Sequence, residues 1–156
     1  MAKKNIPSGA SNKKDDGKIE VRLLPHEVSI HGLSDEKDSI LKSYVNLKYY
    51  NYTHQCLSQW TSEELSNFSE FTNKLTNMTW EQIYKTGGKS GNKTGVGYTP
   101  HSKKNKLPNQ GIVSGLSEDI SFFELRVSQK ARVHGFRSGS SFFLVWLDRN
   151  HEVYPE

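Results

Sequence analysis

Residues 141–147, SFFLVWL, are apolar at every position after the serine. Side chains of a strand alternate between two faces, so a run that is apolar on both must be covered above and below. The segment therefore calls for a central place in a sheet. Two further β-rich runs precede it, FFELRV at 122–127 and ARVHGFR at 131–137. They are divided by Ser128-Gln129-Lys130 and by a Ser/Gly cluster at 138–140, separators suited to hairpins.

The polarity of these runs fixes an expected register. Phe123, Leu125 and Val127 share one face; Phe122, Glu124 and Arg126 share the other. A three-residue loop at 128–130 pairs Val127 with Ala131, Arg126 with Arg132, Leu125 with Val133 and Glu124 with His134. Every pair then matches in polarity, whereas a two-residue loop sets Val127 against Arg132. Register follows the buried face, which favours the first. It also puts two arginines directly opposite each other, an arrangement that destabilises a sheet unless something compensates them. Glu124 or Asp148 can do so from within, and a phosphate can do so from outside, because the guanidinium fork fits it.

Upstream, residues 44–52, YVNLKYYNY, read as a strand with Val45, Leu47, Tyr49 and Asn51 on one face. Thr61-Ser62-Glu63-Glu64 has the spacing of a capping box, followed by Leu65, Phe68, Phe71 and Leu75 at helical intervals. A helix over 62–76 follows. Thr79-Trp80-Glu81-Gln82 repeats the cap for a second helix, which Gly87-Gly88 stops. Residues 19–24 read as a short strand and 34–43 as a short helix capped by Ser34. Helices grouped before a run of antiparallel strands predict an α+β fold: a helix pair on a small antiparallel sheet of four to five strands.

Only 33% of the residues are hydrophobic and mean hydropathy is -0.74, so part of the chain is expected to lie outside the core. Residues 1–18 fit a disordered tail, 19–43 an N-terminal extension, and 44–156 the domain. Within that domain, 87–110 reads as a basic, flexible loop. Six lysines and no acidic residue lie between Gln82 and Ser117. Net charge is +4 and the pI about 9.1, which permits nucleic acid, an anionic surface or an acidic partner. A single cysteine, Cys56, excludes an internal disulfide and a thiolate-rich zinc site. No apolar run approaches the ~20 residues that span a bilayer, and the N-terminus does not read as a secretory signal. A cytoplasmic protein without membrane association is expected.

The closing segment 124–154, ELRVSQKARVHGFRSGSSFFLVWLDRNHEVY, preceded by the helix pair at 62–86, resembles the RelE/YoeB/HigB superfamily of bacterial toxin ribonucleases. The shared points are the E-L-R onset, the following R-V hairpin and the closing His and Tyr. The likeness spans about 110 residues from Tyr44, and is one of pattern, not of a strict motif. It implies a RelE-like fold and an endoribonuclease that cuts mRNA, in association with the ribosome, by attack of the 2′-hydroxyl. It also implies no metal or other cofactor, and neutralisation by a cognate antitoxin protein. Carried over, Arg126, Arg132 and Arg137 would hold the phosphate, His134 or His151 would move protons, and Tyr154 would orient or donate. Histidine suits proton transfer because its ordinary pKa of about 6.5 is near neutral. Lys89, Lys93, Lys103, Lys104 and Lys106 would meet the RNA backbone. The sequence departs from the minimal toxins in its first ~40 residues, in the length of the 87–110 loop, and in the two residues between His151 and Tyr154. These departures leave open a catalytically inactive module on the same fold, binding nucleic acid or protein in a regulatory or phage-defence complex.

Other features read as structural. His26 and His31 flank Glu27 without a third clear ligand. Gly87-Gly88-Lys89-Ser90-Gly91 lacks the spacing of a phosphate loop and follows a helix. Cys56, Trp60, Trp80 and Trp146 read as core residues.

Overall fold

The structure, a computed structural model, describes residues 42–87 and 95–154. The expected tail at 1–18, the strand at 19–24, most of the helix at 34–43, His26, His31, Lys89 and Lys93 lie outside the described residues. Of that expected helix, Lys42 forms an isolated antiparallel bridge with Thr79 instead.

Along the chain run β1 (Tyr44–Asn46), α1 (Ser62–Thr76), α2 (Trp80–Tyr84), β2 (Thr99–Pro100), α3 (Gln110–Gly115), β3 (Phe122–Arg126), β4 (Arg132–Ser138) and β5 (Ser141–Asp148). Short 3-10 turns occupy Leu57–Gln59 and Lys104–Lys106. Both capping boxes form as the sequence predicts. The Thr61 hydroxyl accepts from Glu64 N at 3.3 Å, while the Glu64 carboxylate accepts from Thr61 N at 2.7 Å. Thr79 and Gln82 repeat the exchange for α2. Each box satisfies two donors that a helix start leaves unpaired.

The sheet has five strands in the order β1-β5-β4-β3-β2. The expected antiparallel sheet is in fact mixed, because β1 runs parallel to β5. β1 precedes the helices, and the chain crosses over through them before β3, β4 and β5 form antiparallel pairs, leaving β5 with an open edge on which β1 docks. The predicted β3–β4 register is found in full: Glu124 faces His134, Leu125 faces Val133 and Arg126 faces Arg132. Val127 N donates to Ala131 O at 3.0 Å across the turn.

The strand expected over 44–52 stops at Asn46. The Asn46 side chain accepts from Lys48 N at 2.9 Å, a local turn that competes with the ladder, and Leu47 is left 49% exposed. Asn51 rejoins the sheet further on, donating its N–H to Val145 O at 2.8 Å. On its other side, β5 carries a register shift against β4 between His134 and Gly135, so Val145 is an extra residue there. Gly135 is needed there: a Cβ would collide with the Phe143 carbonyl.

Both faces of the sheet are covered. On one, α1 and α2 bring Phe71, Leu75, Trp80 and Ile83 onto Phe123, Leu125, Val133 and Leu144. On the other, Leu107, Leu116 and Val153 close over Phe122, Phe136, Phe143 and Trp146. β5 is buried along its whole length, as a strand apolar on both faces requires. Trp60, Trp80 and Trp146 are all core residues, while Cys56 is half-buried at the start of a 3-10 turn. The stretch read as a flexible loop contributes β2 and the buried Val96, His101 and Leu107. No helix among the described residues is long and apolar enough to cross a membrane.

Candidate active site

The second sheet face is apolar along much of its area and polar at one end. Two rows of cross-strand neighbours make that end. Arg126, Arg132 and Asp148 stand side by side across β3, β4 and β5, and Glu124 and His134 form the next row. β2 adds a further side chain. Thr99 lies opposite Glu124, so His101, two residues on, points to Glu124's face, and its backbone N–H bonds Phe122 O at 2.9 Å.

Asp148 organises the chain end. Its two carboxylate oxygens accept from Glu152 N at 2.8 Å and from Val153 N at 2.9 Å. That closes the last turn, buries Val153 and carries His151 and Tyr154 back over the sheet. His151 sits in this turn with φ of 61°, a left-handed conformation that a non-glycine residue holds only when its surroundings impose it. Its Nε2 lies 3.3 Å from a Glu124 carboxylate oxygen, and its side chain is one-third exposed. Tyr154 stacks on His101 with ring centroids 4.1 Å apart. The Tyr154 phenol oxygen accepts from Lys103 N at 3.0 Å and meets Ser102 Oγ at 3.3 Å. The Ser102 contact, with the Lys103 N–H and the Lys106 charge, lowers the phenol's pKa from its ordinary value.

Beneath this rim, His134 is fully buried. Its Nε2 bonds Asp148 at 3.1 Å and its Nδ1 faces His101 Nε2 at 2.9 Å. Burial raises the affinity of Asp148 for a proton. The His134 bond and the two backbone donors outweigh that and hold the carboxyl at about 2. Burial, with His134 beside it, pushes His101 down to about 3, so its ring is neutral. His134 Nε2 thus bonds the Asp148 carboxylate, and one proton bridges His134 Nδ1 and His101 Nε2, the donor being set by the tautomer. His101 Nδ1 has no partner among the described residues.

Of the residues nominated from sequence, Arg126, Arg132, His134, His151 and Tyr154 all belong to this end of the sheet. Arg132 is compensated internally. Its Nε lies 3.7 Å from Glu124, and its NH1 donates to Ser128 O at 2.9 Å and Ala131 O at 3.1 Å. Arg126 makes no ion pair among the described residues; its guanidinium lies against Gly97. With Arg132, Asn67, Glu70 and Lys74 it lines a cleft of about 620 Å³. Arg137 does not join them. It turns to the opposite face, 4.9 Å above the Trp80 ring, and bonds Tyr84 Oη and Gly139 O. Lys103 and Lys106 flank Tyr154, with Lys106 Nζ 5.6 Å from its ring, whereas Lys104 bonds the Glu118 carbonyl.

Two members went unrecognised in the sequence. Glu124 was read only as a counter-charge, although the predicted register already set it beside His134. His101 sits in a lysine-rich stretch without periodicity, and only its strand pairing places it. His101, Glu124 and His134 each offer one ligand atom, all within 4.8 Å of one another, and could hold a metal ion. Comparison with known proteins finds no matching family model, no similar curated protein and no similar solved structure.

Proposed function

We propose that this chain is a toxin-type endoribonuclease that cuts mRNA by attack of the 2′-hydroxyl, on a RelE-like form of the α+β fold. It would act in the cytoplasm, associated with the ribosome, and be restrained by a cognate antitoxin. The observation that carries this reading is His151: a partly exposed imidazole on a left-handed turn, backed at 3.3 Å by the buried Glu124 carboxylate. A carboxylate behind an imidazole orients the ring and stabilises the charge it gains on taking a proton.

In this scheme His151 accepts the 2′-hydroxyl proton. The 2′-oxygen bonds phosphorus, the bond to the 5′-oxygen breaks, and that oxygen takes a proton from the Tyr154 phenol. The products are a 2′,3′-cyclic phosphate and a 5′-hydroxyl. Arg126, without an ion partner among the described residues and lining a cleft that it shares with Arg132 and α1, holds the phosphate. Lys103 and Lys106 extend the positive rim. Arg132 and His134 act from behind, through Glu124 and Asp148.

One observation favours the second reading, a catalytically silent binding module: Arg132 and His134 are both bonded internally. Induction in bacteria separates the two. The nuclease reading predicts growth arrest with loss of mRNA, relieved by His151→Ala or Arg126→Ala at equal protein level. Arrest that survives both changes contradicts the assigned site. A wild type that retains RNA on a gel without cutting it supports the binding module.

A further inference from the structure

His101, Glu124 and His134 come from three strands or strand ends, yet their donor atoms converge within 4.8 Å beneath the chain's last turn. We infer that they form a binding site for one divalent transition-metal ion of the zinc class. The donor set is two imidazoles and a carboxylate, which suits zinc better than the oxygen-preferring calcium or magnesium.

The orientation of each ligand supports this. Asp148 accepts a hydrogen bond from His134 Nε2 at 3.1 Å, which directs Nδ1 at His101. A carboxylate behind a histidine is the usual outer support of a metal-bound imidazole. Asp148 is itself fixed by Glu152 N and Val153 N. His101 is held flat by Tyr154, at 4.1 Å between centroids. Its Nδ1, without a partner among the described residues, can carry the ring proton; the bond to His134 is then given up and Nε2 is freed as a ligand. Glu124 presents one oxygen 3.9 Å from His134 Nδ1, while its other lies toward His151.

Two nitrogens on a tetrahedral zinc at about 2.0–2.1 Å stand roughly 3.3 Å apart. The imidazole nitrogens stand at 2.9 Å, so the rings separate by a few tenths of an ångström to admit the ion. Three protein ligands leave a fourth position for water or a substrate oxygen. This departs from the expectation of a chain without metal, and it involves none of His26, His31 or Cys56.

The test titrates the chelator-stripped full chain with zinc chloride against a chromophoric zinc indicator, and with cobalt(II) for the visible bands of a four-coordinate site. The expected result is one equivalent bound. His101→Ala and His134→Gln each weaken binding at least about tenfold, and Asp148→Asn weakens it about 10–100-fold. Cys56→Ser and the double change His26→Ala with His31→Ala leave it unaltered. Should His134→Gln fail to fold, His101→Ala, at the short edge strand, decides. A wild type that binds no stoichiometric zinc, or His101→Ala with unchanged affinity, overturns the inference. The readout is metal and not RNA, so its failure is distinct from failure of the nuclease reading.

Discussion

Asp148 joins two tasks in one carboxylate: it pins the terminal turn through Glu152 N and Val153 N, and it holds His134 in one tautomer. The position of His151 therefore depends on the same residue that orients the buried histidine. Gly135 has a comparable role on the backbone side. It lets the Phe143 carbonyl approach at the bulge that turns His134 and Trp146 onto the same sheet face. Gly135→Ala should destabilise the fold by about 1–3 kcal/mol through overpacking, read as a lower urea midpoint. A midpoint within error of wild type would show that the β4–β5 bulge relaxes freely. The residue-level chemistry was only half legible. Arg126, Arg132 and His134 could be nominated because they lie on strands with clear alternation, His151 and Tyr154 only because a family resemblance pointed to the closing His and Tyr. His101 could not, because no pattern in TPHSKK marks its strand.

Local signals located the elements well where they were strong. The Thr61–Glu64 box set α1 at Ser62–Thr76, and polarity matching set the β3–β4 register. They failed where distant partners decide. β1 ends early because Asn46 turns the chain locally, and Asn51 returns to a bulge almost a hundred residues away. β2 exists only through its pairing with β3. The two ends of the chain's logic also meet at α1: Glu64, its capping acid, takes a two-pronged bond from Arg149 at 2.9 and 3.0 Å. The Arg149 guanidinium, then the Thr61 N–H, holds Glu64 below its ordinary pKa. A carboxylate lowered by folding adds stability above its unfolded pKa, about 4.3, and loses it as pH falls further. Glu64→Gln keeps the cap but not the ion pair. It should cost up to about 1 kcal/mol at pH 7 and less at a second pH below the unfolded value of about 4.3, where the gap narrows as the carboxylate is protonated. Equal gaps in urea unfolding at the two pH values would contradict this.

At the scale of the molecule, one sheet separates two packing regions. The helices cover one face; the α3 segment and the chain end cover the other. The polar end of that second face is where buried charge, a strained turn and a basic rim coincide. The net charge of +4 permits a polyanionic partner at this end.

The most direct test of this account uses purified chain with ribosomes carrying a single-stranded RNA with mapped cleavage sites, compared with the same strand carrying 2′-deoxy sugars at those sites. The account predicts 2′,3′-cyclic phosphate ends on the RNA, none on the 2′-deoxy strand, and at least a roughly hundredfold slower reaction for His151→Ala, the range of a lost general base. Cleavage of the 2′-deoxy strand, or an undiminished rate without the His151 imidazole, would contradict it.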